Sequence, residues 1–259
     1  MPDLALLWGN LILNPMINIM LIIYNFLFHN FGIAIILLTA LIRLITMPLT
    51  LRQQRSMEKM QEMQRSKRWK DIEKKHKGDK PRIQQEQMKL YREMGVSPFG
   101  GCLPLLLQFP IIIGLYQSIT SALATVPMQL LQLSKHMYPF IPAALLPLNN
   151  RFLWWDLSQP ERLVSPEILG FGIPVLTILV VATSFLQTRM TTPPSADSQG
   201  AQMSKMMSLY MPFLFGFFAY SYAAGLALYF VATNVMTIAQ YAALGKVNWR
   251  QVLSLRGAS

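Results

Sequence analysis

Charge is what this sequence lacks most. Only 14% of its 259 residues are charged, where an ordinary soluble domain has about 25%. No Asp, Glu, Lys or Arg occurs between Glu93 and Lys135, or between Lys205 and Lys246. A soluble chain of this size needs charge over most of its surface, whereas such gaps suit membrane spans of about 20 residues. Cysteine is nearly absent too. The single Cys102 excludes an intrachain disulfide and any multi-cysteine metal site. Three histidines, His29, His76 and His136, fall in separate regions. There is no HExxH and no GxxxxGK phosphate loop, no carboxylate inside an apolar stretch, and no base beside an apolar-stretch serine such as Ser184 or Ser221. No metal, cofactor or ordinary enzymatic chemistry is expected. Before Arg43 there is no Lys or Arg, so neither the positive region of a signal peptide nor the arginines of a transit peptide are expected.

What is present is apolar, 53% by composition, with a net charge of +11. The first span is expected over 31–50, the second over 97–121 (its apolar part from Gly101 to about Ser121), and the third over 167–188. Residues 206–244 are apolar throughout; as one helix they would extend roughly 58 Å, twice the hydrocarbon thickness. The chain must turn, and "SYAAG" (Ser221–Gly225) is the place, giving a fourth span over 206–220 and a fifth over 225–243. Residues 1–30 are read as an amphipathic helix lying in the outer interface, because Asn14, Asn18, Asn25 and His29 stack on one helical face.

Between Arg52 and Glu93 there are 14 Lys and Arg against 7 Asp and Glu. The segment 51–96 reads as a basic helical hairpin, broken at "KGDKP", with Pro81 suited to starting its second helix. Its apolar positions, Met57, Met60, Met63, Trp69, Ile72, Ile83, Leu90 and Tyr91, form a thin seam. Placing the hairpin, the loop 189–205 and the basic tail 244–259 on one side, with the outer loop 122–166 on the other, satisfies the positive-inside rule. The expected fold is all-α and polytopic, with five transmembrane helices, N-terminus outside and C-terminus cytoplasmic.

Arg43 stands inside the first span, about 18 Å along the helix from Phe31. A charge near a helix centre costs roughly 2.5–3.5 kcal/mol on insertion scales. Either the side chain snorkels to the inner headgroups or it faces a hydrated cavity, as intramembrane charges usually do. Thr39 lies one turn earlier on the same face, and Pro48 frees the carbonyl of Leu44. Gln108, Gln187, Asn234 and Gln240 bring polar groups from other spans, either to that cavity or to helix–helix hydrogen bonds. The 17 methionines include Met47, Met57, Met60, Met63, Met94, Met190, Met203, Met206 and Met207 near the inner side. Flexible thioethers suit varied apolar partners or loose packing.

Three stretches, "IIYNFLFHNFGIAIILLTALIRLITMPLT", "GVSPFGGCLPLLLQFPIIIGLYQSI" and "LYMPFLFGFFAYSYAAGLALYFVATNVMTIAQ", resemble the YidC-type membrane protein insertases, with their thylakoid and mitochondrial inner-membrane relatives. The resemblance covers about residues 15–244 in order. It implies a five-helix core and a hydrophilic groove open to the cytoplasm and to lipid. The family's motif arginine maps to Arg43, its preceding threonine to Thr39, and the glutamine of "CLPLLLQ" to Gln108. Phe230 stands where many members have tryptophan, and "YAAG" where many have Pro-Ser-Gly; with only a short tail, strong tail-mediated ribosome docking is not expected.

Together these readings imply a bacterial plasma-membrane insertase and chaperone that works without ATP. Its client-binding groove would hold Arg43, Thr39, Gln108, Gln187, Phe230 and Asn234. The partners implied are newly made membrane proteins, the ribosome, the Sec translocon and membrane lipids, without nucleic-acid sequence recognition. Two rival readings are a small anion transporter or channel built on Arg43, and a lipid-binding scaffold built on the basic hairpin. A transporter usually shows inverted repeats, and no repeat is visible.

Overall fold

A computed structural model of the chain describes residues 6–161 apart from 28, 77, 96–102, 124–130, 132, 135, 143 and 144, and residues 167–245 apart from 169, 170 and 192–197. Cys102 and most of the tail 244–259 lie outside the described residues. A π-helical turn, Gly9–Leu13, leads into α1 (Asn14–Phe26). Helices α2 (Phe31–Arg65), α3 (Lys67–Lys75), α4 (Lys80–Glu93) and α5 (Leu103–Ala122) follow. Two short antiparallel hairpins come next, β1–β2 (Arg151–Phe152 with Trp155–Asp156) and β3–β4 (Glu167–Ile168 with Phe171–Gly172). Then come α6 (Val175–Thr191), α7 (Ser198–Ser221) and α8 (Ala224–Ala243). The fold is mostly helical.

Three helical stretches are long and apolar enough to cross a membrane among the described residues: Leu6–Phe26, Phe31–Gln64 and Ala224–Ala243; Val175–Thr191 is apolar but shorter. Several boundaries differ from the expectation. Helix α2 does not stop near Thr50 but continues to Arg65, because the Gln-, Glu- and Arg-rich sequence after Leu51 favours helix and has no breaker. Helix α6 starts at Val175 rather than Glu167, since Pro174 disfavours helix in the residue before it, and Glu167 and Ile168 pair with Gly172 and Phe171 instead. Helix α7 starts at Ser198, inside the expected loop 189–205.

The contacts divide the chain into two compact units. The first comprises Met1–Leu44, Ile111–Thr191 and Ser208–Ser259. Its hub is α8, which buries Ala224–Phe230 together with Thr233, Asn234 and Thr237. Around it pack Phe31, Ile35 and Leu38 of α2, Leu115 and Ile119 of α5, and Leu176 and Val180 of α6. The apolar stretch turns at Tyr222 and Ala223, and the start of α8 is stitched to the outer hairpin. Ala224 N–H donates to Gln159 O (2.8 Å) and Gly225 N–H to Leu157 O (3.0 Å). A Cβ on Gly225 would meet Ile119 Cγ2 at 2.9 Å and Leu157 O at 3.2 Å, so any larger residue would push the hairpin or Ile119 away. A smaller cluster joins Ile17 and Leu21 of α1 to Leu133 and Ile141. Asn18 is fully buried; its amide donates to the carbonyls of Asn14 (2.6 Å) and His136 (2.8 Å), and its oxygen accepts from Tyr138 N–H (2.7 Å).

The second unit, Ile45–Pro110 and Thr192–Met207, contains the basic hairpin. Ser66 caps α3, accepting from Trp69 N–H at 3.3 Å, and Asp79 caps α4, accepting from Arg82 N–H at 3.2 Å, with Pro81 in the first turn. The buried core here is Met63, Trp69 and Leu90, flanked by Ile72 and Tyr91; the Trp69 and Tyr91 rings meet edge to face at 5.6 Å. On its surface Lys89 donates to Glu86 at 2.7 Å and holds that carboxyl below its ordinary range. That contribution is present above the carboxyl's unfolded pKa and is lost as pH falls through the folded one. Both partners are exposed, so it is small.

One buried carboxylate organises the first unit where α6 begins. Glu161, 1% exposed, accepts from Leu176 N–H (2.7 Å), Thr177 N–H (2.9 Å), Thr177 Oγ1 (3.1 Å) and Trp155 Nε1 (3.0 Å). It satisfies the free N–H groups at the start of α6 and complements the positive end of the helix dipole. Glu161→Ala leaves these donors buried without acceptors. The expected loss is about 2–3 kcal/mol, read as a lower unfolding midpoint in detergent, with Glu161→Gln intermediate.

Candidate functional site

Helix α8 carries Thr233, Asn234, Thr237 and Gln240 within an otherwise apolar run. Thr233, Thr237 and Gln240 are spaced four and three apart and so share one face, while Asn234 is turned toward α6. Its amide donates to Thr183 Oγ1 (3.0 Å) and Ser184 Oγ (2.8 Å). Serine and threonine in a helix can bond their own preceding turn, and Thr183 also does so, donating to Leu179 O at 2.7 Å. Such hydroxyls keep oxygen lone pairs for a donor from a neighbouring helix, which Asn234 supplies.

Arg43 is half-buried on α2, and its guanidinium donates to Thr233 O at 3.5 Å. The same carbonyl accepts from Thr237 Oγ1 at 2.7 Å. The arginine therefore lies against the polar face of α8. Thr233 Oγ1 and Gln240 Nε2 are buried without a hydrogen-bond partner among the described residues. Buried polar atoms without a partner are uncommon in folded proteins.

The remaining expected site residues fall into different settings. Thr39 is buried and donates to Ile35 O of its own helix at 2.6 Å. Phe230 is packed in the core against Phe215 (5.1 Å between ring centres) and Tyr229 (5.6 Å). Gln187 is half-buried on α6, whose Arg189 lies over the Phe185 ring at 4.4 Å. Gln108 is half-buried in the second unit. The structure thus brings Arg43 and α8 together, sets Asn234 against α6, and gives Phe230 to the apolar core. Thr233 and Thr237 were not singled out from the sequence, although their spacing from Gln240 is a legible signal. No group of three or more His, Cys, Asp or Glu able to hold a metal occurs among the described residues.

The family model for the 60Kd inner membrane protein matches residues 22–250. The chain belongs to the 60Kd inner membrane protein family. Relatives of this family named "Membrane protein insertase YidC" are similar to it. The protein from Syntrophobacter fumaroxidans is 36% identical over 241 residues, covering 90% of this chain and 37% of that protein. That from Nitratidesulfovibrio vulgaris is 33% identical over 234 residues, covering 90% and 38%. That from Leptospira interrogans is 33% identical over 234 residues, covering 88% and 33%. A solved structure, "Active YidC insertase crystal structure with the first transmembrane domain resolved", matches with a TM-score of 0.51 and 28% identity, covering 82% of this chain and 41% of that one. The chain thus spans well under half the length of these relatives. As a member of the 60Kd inner membrane protein family, it is a multi-pass bacterial membrane protein.

The Asn234 bridge is directly testable. Asn234→Leu leaves the Thr183 and Ser184 hydroxyls without their interhelical donor, and should cost about 0.6–1.7 kcal/mol, the range for hydrogen bonds between membrane helices. Unfolding in detergent, in a double-mutant cycle with Ser184→Ala, should show non-additive losses; additive ones would mean the bond carries no energy.

Proposed function

We propose that this chain is a membrane protein insertase and folding aid, acting on newly made membrane proteins without ATP. The name shared by its relatives supports the activity. The placement of Arg43 against the polar face of α8 carries the mechanism. In it, the guanidinium and the unsatisfied Thr233 and Gln240 atoms hydrate and attract the polar or acidic tail of a client, which shortens the tail's path through hydrocarbon. The client's apolar segment then moves sideways into lipid, and its burial, at about 25 cal/mol per Å², drives the step. Gln187 adds a polar group, Thr39 lies one turn from Arg43 on α2, Asn234 ties α8 to α6, and Phe230 packs behind them. A role for Gln108 rests on the resemblance alone. Ribosome, Sec translocon and lipid partners belong to the same proposal.

The arrangement that goes with this reading has five spans, an interfacial N-terminal helix, and the hairpin and C-terminus in the cytoplasm. In a Cys102→Ser background, Arg151→Cys should react with an impermeant thiol reagent from outside and Gly78→Cys only from inside. Labelling of position 78 from outside would overturn the orientation.

The deciding experiment is insertion of short-tailed clients into liposomes that contain only this protein. Arg43→Lys should keep much of the activity, since it keeps the charge but loses the fork geometry. Arg43→Ala should lose most of it for acidic-tailed clients, and Arg43→Glu more, with the loss reduced by salt if water reaches the site. Full activity of Arg43→Ala across several acidic tails would remove the charge from the mechanism. Anion flux through the same liposomes, abolished by Arg43→Ala, would favour an anion pathway instead.

A further inference from the structure

Within the first unit, the hairpin β1–β2 lies at the end where α2 and α8 begin. The Phe152 ring packs so closely on Gly32, in the first turn of α2, that a Cβ there would fall inside it. Leu157, just past β2, accepts from Gly225 N–H of α8 at 3.0 Å. Trp155 is buried and tied through its indole N–H to Glu161 at 3.0 Å. The hairpin is therefore fixed at the level of the first turns of two apolar, span-length helices.

Between these anchored aromatic residues stand Leu153 and Trp154, 69% and 56% exposed. Leu153 has φ of 55°, in the left-handed region that glycine or asparagine takes readily and a bulky residue does not. One face of Trp154 lies near Trp155, with 4.4 Å between ring centres. A strained leucine and an exposed tryptophan at a turn are ill suited to water. Both suit a bilayer boundary, where tryptophan is enriched because its ring is apolar and its N–H polar. Arg151, exposed at the base of the same hairpin, puts a cation where lipid phosphates lie.

We propose that the Leu153–Trp154 tip is a lipid anchor, inserted into the phospholipid leaflet at the level where α2 and α8 begin. It would set the depth and tilt of these helices. The partner is lipid rather than protein because the tip stands at the level where two apolar helices of membrane-crossing length begin. The proposal rests on the membrane-embedded reading given above, and its test separates the two.

The full chain carrying Cys102→Ser and Trp154→Cys, labelled with an environment-sensitive fluorophore, is placed in phosphatidylcholine–phosphatidylglycerol vesicles. Lipids bearing a nitroxide near the headgroup or near the acyl end serve as quenchers. Label at position 154 should emit at shorter wavelength than in detergent-free buffer controls, and the shallow quencher should act more strongly than the deep one. Label at Val235→Cys, on an exposed side of α8, is the control. Quenching at 235 without quenching at 154 overturns the anchor and leaves the membrane reading intact. Quenching at neither position overturns both. Shallow quenching at 154 that requires an added soluble protein would mean a protein partner, and also overturns the anchor. Leu153→Gly, which relieves the turn, should melt in detergent no lower than the parent. A lower midpoint would show that the leucine serves packing within the chain, which contradicts the proposal.

Discussion

A guanidinium or amide placed in hydrocarbon has no water to turn to, and the first unit is arranged around that constraint. Arg43 donates to a backbone carbonyl of α8, Asn234 donates to hydroxyls of α6, and the hydroxyls fall back on their own helices. Hydrophobicity alone does not hold these helices together, because lipid tails are as apolar as leucine; close packing and interhelical hydrogen bonds do. The polar groups select one arrangement, since a rotated helix would leave them unsatisfied. Thr233 Oγ1 and Gln240 Nε2 are left over, buried without a partner among the described residues.

Where α6 and α8 begin, the same problem is solved with backbone and charge. The first N–H groups of a helix have no partner of their own. Those of α6 are taken by the Glu161 carboxylate, and those of α8 by the carbonyls of Leu157 and Gln159. One segment, residues 157–161, therefore terminates two helices. Gly225 and Gly32 permit this by letting a backbone carbonyl and a phenyl ring approach where a side chain would intervene.

Much of this was legible in the sequence, because it depends on local spacing. The charge gaps mark the apolar helices, Pro81 marks the start of α4, and a lone arginine in an apolar run demands a polar neighbour. What was hidden depends on partners distant in the chain. Nothing near Glu161 indicates that it caps a helix starting at Val175, and nothing near Gly32 indicates a ring from position 152. Thr39 and Phe230 look like groove residues by position, yet lie buried, because burial is decided by the neighbouring helices rather than by the helix that carries them. The late start of α6 was readable in Pro174, but the apolar run before it obscured the signal.

Among the described residues, helix α8 comes after the segments it holds: Ile35 and Arg43, Ile119, Leu157, Thr183 and Ser184, Phe215. Synthesis runs in the same order, so the earlier helices reach the membrane before their common partner exists. Until α8 arrives, Arg43 and the α6 hydroxyls lack the groups that satisfy them in the finished protein. They must be tolerated by headgroups, water or a helper already in the membrane. A protein whose hub is made after the segments it holds passes, during its own manufacture, through a stage with exposed polar groups and an unfinished bundle.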